Sequence, residues 1–214
     1  MEITTKVMQQ ATWQQILEDV RAGEAAKYAG AETEITLKDG TTAVLAVAAV
    51  NHYKDNELVL VFRDYLSETR PMNEDGGNAG GWKRSDLRKW LNKEFIKLLP
   101  DDLQEVIHKK KTVQVINGER YKCKDYLFLP SEMEMFGECE YSEAQEGEKQ
   151  FPYYADKHNR SRTIGKNGCW EFGWLSSPSA SNTTDFCGVS NTGGGASNGD
   201  ARGGYGVAPA FVIR

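Results

Sequence analysis

The sequence is short of long apolar runs, of excess positive charge and of metal-ligand spacings. Its longest apolar stretch, Ala43–Val50, falls far below the ~20 residues of a membrane-spanning helix. The opening residues, MEITTKVMQQ, are polar and lack the apolar core of a signal peptide, so neither that targeting route nor membrane insertion is expected. Lys and Arg total 26 against 31 Asp and Glu, a net charge of −5 that argues against a nucleic-acid partner. Cys123, Cys139, Cys169 and Cys187 form no CxxC pair, which leaves a zinc knuckle unsupported. With 214 residues and 39% hydrophobic content the chain can bury a core without disulfides, so free thiols are expected. His52, His108 and His158 share no HxxxH spacing and read as solvated or satisfied imidazoles. The stretch Asn73–Asn78 lacks the alternating ligands and closing Glu of a calcium loop and reads as a flexible turn. No metal and no cofactor are therefore expected.

What is present describes one α+β domain spanning residues 1–214. Thr12 is placed to cap a helix over Trp13–Tyr28, in which Trp13, Ile16, Leu17 and Val20 share a face; Gly23 weakens its middle and Gly30 ends it. Strands are expected at Glu34–Leu37, Thr41–Val50 and Leu58–Phe62, followed by a loop over 67–81. Ser85 caps a second helix carrying Leu87, Trp90, Leu91, Phe95 and Leu98, and Pro100 ends it. A short helix over Asp101–His108 follows, then a hairpin of Thr112–Ile116 and Glu119–Lys124 about Asn117-Gly118. Asp125–Leu129 is a further strand candidate, and residues 137–168 read as loop, with a solvated acidic run from Glu138 to Glu148. Helices and hairpins are segregated rather than alternating, which favours α+β over a doubly wound sheet.

Residues 175–208 differ in composition from the rest. Eight of these 34 residues are Gly, and Asp185, Asp200 and Arg202 are the only charged ones. Apolar segments flank them: Trp170, Phe172 and Trp174 before, Val207–Ile213 after. The 53 Lys, Glu, Gln, Met and Trp of the chain all fall elsewhere. Loop bias explains part of this deficit. Codon chemistry explains the same five types: an Asn codon, AAC or AAT, changed only at its two adenines reaches fifteen amino acids, and these five are the ones it cannot reach.

Several motifs in order carry a family resemblance: Trp13, Ile16, Gly23 and Tyr28; Asn51–Tyr53; Gly80–Asn92; Leu99–Leu103; Asp125–Gly137; and WLSSP…FCGVSNTGG…GVAPAF. From Trp13 to Ile213 the chain resembles DUF6273-like proteins of phages and gut bacteria, some of which are variable proteins of diversity-generating retroelements. In such systems a template copied with errors at adenines replaces a C-terminal variable region. The resemblance implies a C-type-lectin-like fold with two main helices, a small, mostly antiparallel sheet and long irregular loops. It implies a frame of Trp174, Phe186, Cys187, Val189, Val207, Pro209 and Phe211. The variable, ligand-binding positions between them are Ser179, Thr183, Thr184, Asp185, Gly188, Ser190, Asn191, Thr192, Gly194, Ser197, Asn198, Gly199, Asp200, Arg202, Gly204 and Tyr205. Ser176 stands where the family commonly has Arg.

The expected activity is recognition of a protein or glycan receptor on a cell surface, from a phage tail or a bacterial surface, with no catalysis. Frame residues should point inward and the interleaved positions outward, as in a paratope. Tyr205 and Arg202 are the expected anchors, with Asp185 and Asp200 adding polar specificity. Three alternatives stand beside this reading: an oxidase using Cys169 and Cys187, a calcium-dependent lectin, and a structural subunit whose Gly/Ser segment is a flexible loop.

Overall fold

The structure is a computed structural model and describes residues 2–165 and 168–214. The loop expected over 137–168 includes Lys166 and Asn167, which lie outside the described residues. The chain forms α1 (Glu2–Gln10), α2 (Trp13–Arg21), β1 (Glu32–Thr36), β2 (Thr42–Val50) and β3 (Leu58–Phe62), then α3 (Gly81–Arg84), α4 (Asp86–Lys93), α5 (Asp101–Val106), β4 (Ile107–His108), β5 (Lys110–Ile116) and β6 (Glu119–Asp125). The remainder is α6 (Glu132–Phe136), β7 (Gly173–Pro178), β8 (Asp185–Val189), β9 (Ala196–Asp200) and β10 (Ala210–Ile213). Helices and antiparallel sheets are mixed, as the α+β expectation holds.

Both expected caps form. Thr12 accepts from the Gln15 amide in a capping box, and Ser85 accepts from the Arg88 amide. The helices they start are shorter than the apolar spacing suggests. The helix expected through Tyr28 ends at Arg21, because Gly23 adopts φ +83° and the chain re-enters as a 3₁₀ turn at Ala25–Tyr28. The second helix breaks after Lys93 into a 3₁₀ turn, Phe95–Leu98. The helix expected over Asp101–His108 stops at Val106, and Ile107–His108 pairs instead with β10. The Asp125–Leu129 strand is absent: Asp125 ends β6 and Phe128 makes a single bridge to Ala210.

The main sheet runs β1-β2-β3-β10-β4, every pair antiparallel. Its central strand, LVLVF, is buried along its whole length, which explains a continuous apolar run without alternation. β10 joins β3 in the register Phe211↔Leu60, so the polar segment before it is tied at its far end to the core. Phe211 is fully buried there, a gain of ~1.5–3 kcal/mol relative to exposure. A second sheet is the β5-β6 hairpin, and a third runs β7-β8-β9.

Candidate binding site

The segment expected to be a long irregular loop holds two strands, β8 and β9, paired from Asp185↔Asp200 to Val189↔Ala196. It is attached to the scaffold by backbone bonds on both flanks. Trp174 N–H donates to the Gly206 carbonyl at 2.9 Å, and the Tyr205 and Arg70 backbones exchange bonds of 3.0 and 3.2 Å. Met72 and Asn73 both donate to the Ala201 carbonyl, at 2.8 and 3.0 Å.

Trp174, Phe186, Cys187, Val189, Val207, Pro209 and Phe211 are all buried. Phe186 meets Trp174 edge-on at 6.4 Å. Cys187 faces Glu132, a fully buried carboxylate that also accepts from the Glu140, Tyr141 and Ser142 amides and the Ser142 hydroxyl. Burial, with that carboxylate beside it, holds the Cys187 thiol well above its ordinary range. The geometry is that of a structural thiol, opposite in sign to an activated nucleophile. The four cysteines are free, and Cys169 is exposed. Among the described residues no cluster of three or more His, Cys, Asp or Glu could hold a metal.

The interleaved positions divide into three groups. Thr183, Thr184, Asn191, Thr192, Arg202 and Gly204 are exposed. Asp185, Ser190, Ser197, Asn198, Gly199, Asp200 and Tyr205 are half-buried along β8, β9 and their turns. Ser179, Gly188 and Gly194 are buried, which corrects the expectation that every interleaved position faces solvent. β8 is covered on both faces, so its pleat offers no outward side at residue 188. A Cβ there would strike the Phe172 ring and the Gly173 carbonyl. At Gly199 a Cβ would lie 2.8 Å from the Tyr205 ring. Part of the segment's glycine content is therefore a packing requirement.

Tyr205 also differs from expectation. Its ring sits 4.5 Å from Phe172 and 4.8 Å from Trp174, packed against the core rather than offered freely as an anchor. Arg202 is 64% exposed and pairs with Asp200 at 3.2 Å, an exposed ion pair of the kind worth ~0.2–1 kcal/mol.

Sequence reading missed the residues that hold the turn before β8. Asn78, read as part of a flexible turn, is buried and donates its amide to the carbonyls of Ser179, Asn182 and Asp185 at 3.1, 2.9 and 2.9 Å. Its own backbone N–H donates to the Thr183 carbonyl at 2.9 Å. Within that turn Asn182 Oδ1 accepts from the Thr184 and Asp185 amides, an Asx turn that could be read from the sequence. Asn73 braces the same loop from behind, donating to the Gly77 carbonyl and accepting from the Asp86 amide. A crevice of about 150 Å³ opens between the turn residues Ser181–Thr183 and Gln114, Asn117 and Gln145. Its walls mix Ser, Thr, Asn and Gln side chains with Val115, Ile116, Pro178 and Ala180.

Fold and site together define an α+β protein that fixes a polar, turn-rich segment on antiparallel sheets. No described helix is long and apolar enough to cross a membrane. Residues 56–214 match the family described as Domain of unknown function (DUF6273), and the chain belongs to that family. The match starts just before β3 and leaves the Trp13–Tyr28 and Asn51–Tyr53 motifs outside it, although β1 and β2 complete the same sheet. No curated protein and no solved structure matches the chain.

Proposed function

We propose that the protein is a receptor-recognition protein whose residues 175–208 are diversified by adenine-directed mutagenesis of a retroelement. The segment is displayed on a C-type-lectin-like scaffold, at a phage tail or a bacterial surface, toward a protein or glycan receptor. The observation that carries this reading is the absence of Lys, Glu, Gln, Met and Trp from residues 175–208, the set an Asn codon cannot reach through its adenines. The geometry supports it in a specific way. Exposed side chains at Thr183, Thr184, Asn191, Thr192 and Arg202 alternate with a buried frame, so that they can change without entering the core. Asn78 and the Asn182 turn hold the backbone of the first display turn independently of those side chains. Such preorganisation lowers the ordering cost of binding.

Sequencing of the neighbouring DNA tests the reading. A reverse-transcriptase gene and a near-copy of the codons for residues 175–208, differing from them only at adenines, are expected. A neighbourhood with neither overturns the diversification claim.

A further inference from the structure

A cluster of cations lies away from the display segment. The C-terminal end of β10, β4, the turn before β3 and the β5-β6 hairpin enclose a concavity of about 410 Å³ lined by Lys54, His108, Lys111, Lys124 and Arg214. Arg214 Nη2 donates to His108 Nε2 at 2.9 Å, so that nitrogen carries no proton and accepts. Lys111 and Lys124 stand directly opposite each other in the β5-β6 ladder, a like-charge pairing that works against the hairpin. Lys54, Lys111, Lys124 and Arg214 are in no ion pair among the described residues. One carboxylate, Glu57, also lines the concavity and feels the Arg214 charge. Glu134 is buried against Lys110 at 2.9 Å, and Glu57 is buried beneath the turn, where it accepts from the Tyr53 amide. Lys109 is turned onto the Tyr126 ring, 4.6 Å from its centroid.

A chain of net charge −5 thus gathers unpaired cations around one concavity. We propose that this concavity binds a phosphoryl group, the ligand chemistry that an arginine fork and convergent ammonium groups recognise. The bound dianion offsets the Lys111–Lys124 repulsion and sits beside Arg214 and His108. His108 then acts as the proton-linked member. In the free protein, burial and the neighbouring Arg214, Lys54 and Lys124 charges hold its pKa below the ordinary value. An anion reverses that field, so binding takes up a proton and is tighter at lower pH. The group comes either from a free phosphate ester or from a phosphorylated polymer. The hairpin face that carries Lys111 and Lys124 continues through Lys122 and Arg120, paired with Val113 and Val115, and provides further contacts for a polymer.

Calorimetric titration with inorganic pyrophosphate tests the proposal. Saturable binding at millimolar or lower concentration is expected, and the Lys54→Gln/Lys124→Gln double variant should weaken it about tenfold or more. Both side chains are exposed and unpaired, and an unchanged melting temperature verifies the variant's fold. Inorganic sulfate, whose charge is constant over this range, should bind more tightly at about pH 6 than at about pH 8, and His108→Gln should remove that difference. Poly(glycerol phosphate) distinguishes the sources. If it binds more tightly per phosphate than pyrophosphate, and Lys122→Gln and Arg120→Gln weaken it selectively, the ligand is a polymer. Equal affinities assign a free ester. Absence of pyrophosphate binding, binding unchanged in the double variant, or retention of a thymidine oligonucleotide while pyrophosphate stays silent overturns the proposal.

Discussion

The side-chain amide of Asn78 lies 2.9 Å from the carbonyl oxygen of Asp185, across 107 positions of the chain. This bond and its companions to Ser179 and Asn182 bind the turn before β8 to a loop that otherwise carries little regular structure. Replacing Asn78 by Ala removes all three donations, including the buried one to the Ser179 carbonyl, while the Asp185 carbonyl keeps the Ser179 amide. The Asn78→Ala variant should lose ~1–3 kcal/mol of stability. Urea denaturation measures that loss, and limited proteolysis should show earlier cleavage within residues 179–185 than in the parent protein.

Tolerance to substitution should follow burial rather than membership of the proposed variable set. Thr183→Tyr and Asn191→Tyr place new rings in solvent and should change stability by no more than ~0.5 kcal/mol. Gly188→Ser forces a Cβ into the Phe172 ring and should destabilise by ~1–3 kcal/mol or more, a drop visible as a lowered melting temperature. A Gly188 variant as stable as the exposed ones would contradict the packing described for β8.

Tyr205 and Arg202 should separate in the same way. Tyr205→Ala removes a ring held between Phe172 and Trp174 and should destabilise the fold by roughly 2–4 kcal/mol, toward the lower end for a half-buried ring. Arg202→Ala loses only an exposed pair with Asp200 and should stay within ~0.5 kcal/mol. A binding assay on Tyr205→Ala therefore needs a stability control, whereas Arg202→Ala reports recognition directly.

A half-buried group, Glu148, and a buried one, His52, give the stability a pH profile with opposing parts. Burial, with the Glu134 charge beside it, pushes the Glu148 carboxyl up to about 7. Its folded pKa exceeds the unfolded value, so its contribution is complete below about pH 4.5 and is lost as pH rises through 7. Burial pulls His52 down to about 4. Its contribution is complete above about pH 6.5 and is lost as pH falls toward 4. The two slopes oppose each other between these limits and flatten the native profile. In Glu148→Gln the His52 slope should remain, with stability rising from about pH 4.5 to 6.5. In His52→Gln stability should fall from about pH 4.5 to 7. Denaturation midpoints across that range check both signs.

Local chemistry determined much of what the sequence alone could show. A hydroxyl at Thr12 or Ser85 caps the helix behind it, Asn117-Gly118 turns a hairpin, and LVLVF is a strand, because each depends on neighbours within a few residues. The frame from Trp174 to Phe211 followed from the family resemblance, and its residues are buried. Tertiary structure alone decided the rest. Ile107–His108 left its helix because β10 offered an edge to pair with, and Asn73–Asn78 became a brace because Thr183, Asp185 and Ala201 presented carbonyls to it. Ser179, Gly188 and Gly194 were enclosed, and Tyr205 was drawn into an aromatic cluster, by rings and backbone folded over them from other segments. The convergence of Lys54, His108, Lys124 and Arg214 is of the same kind. Composition records a net negative chain, whereas the charge at a given concavity depends on which strands lie side by side.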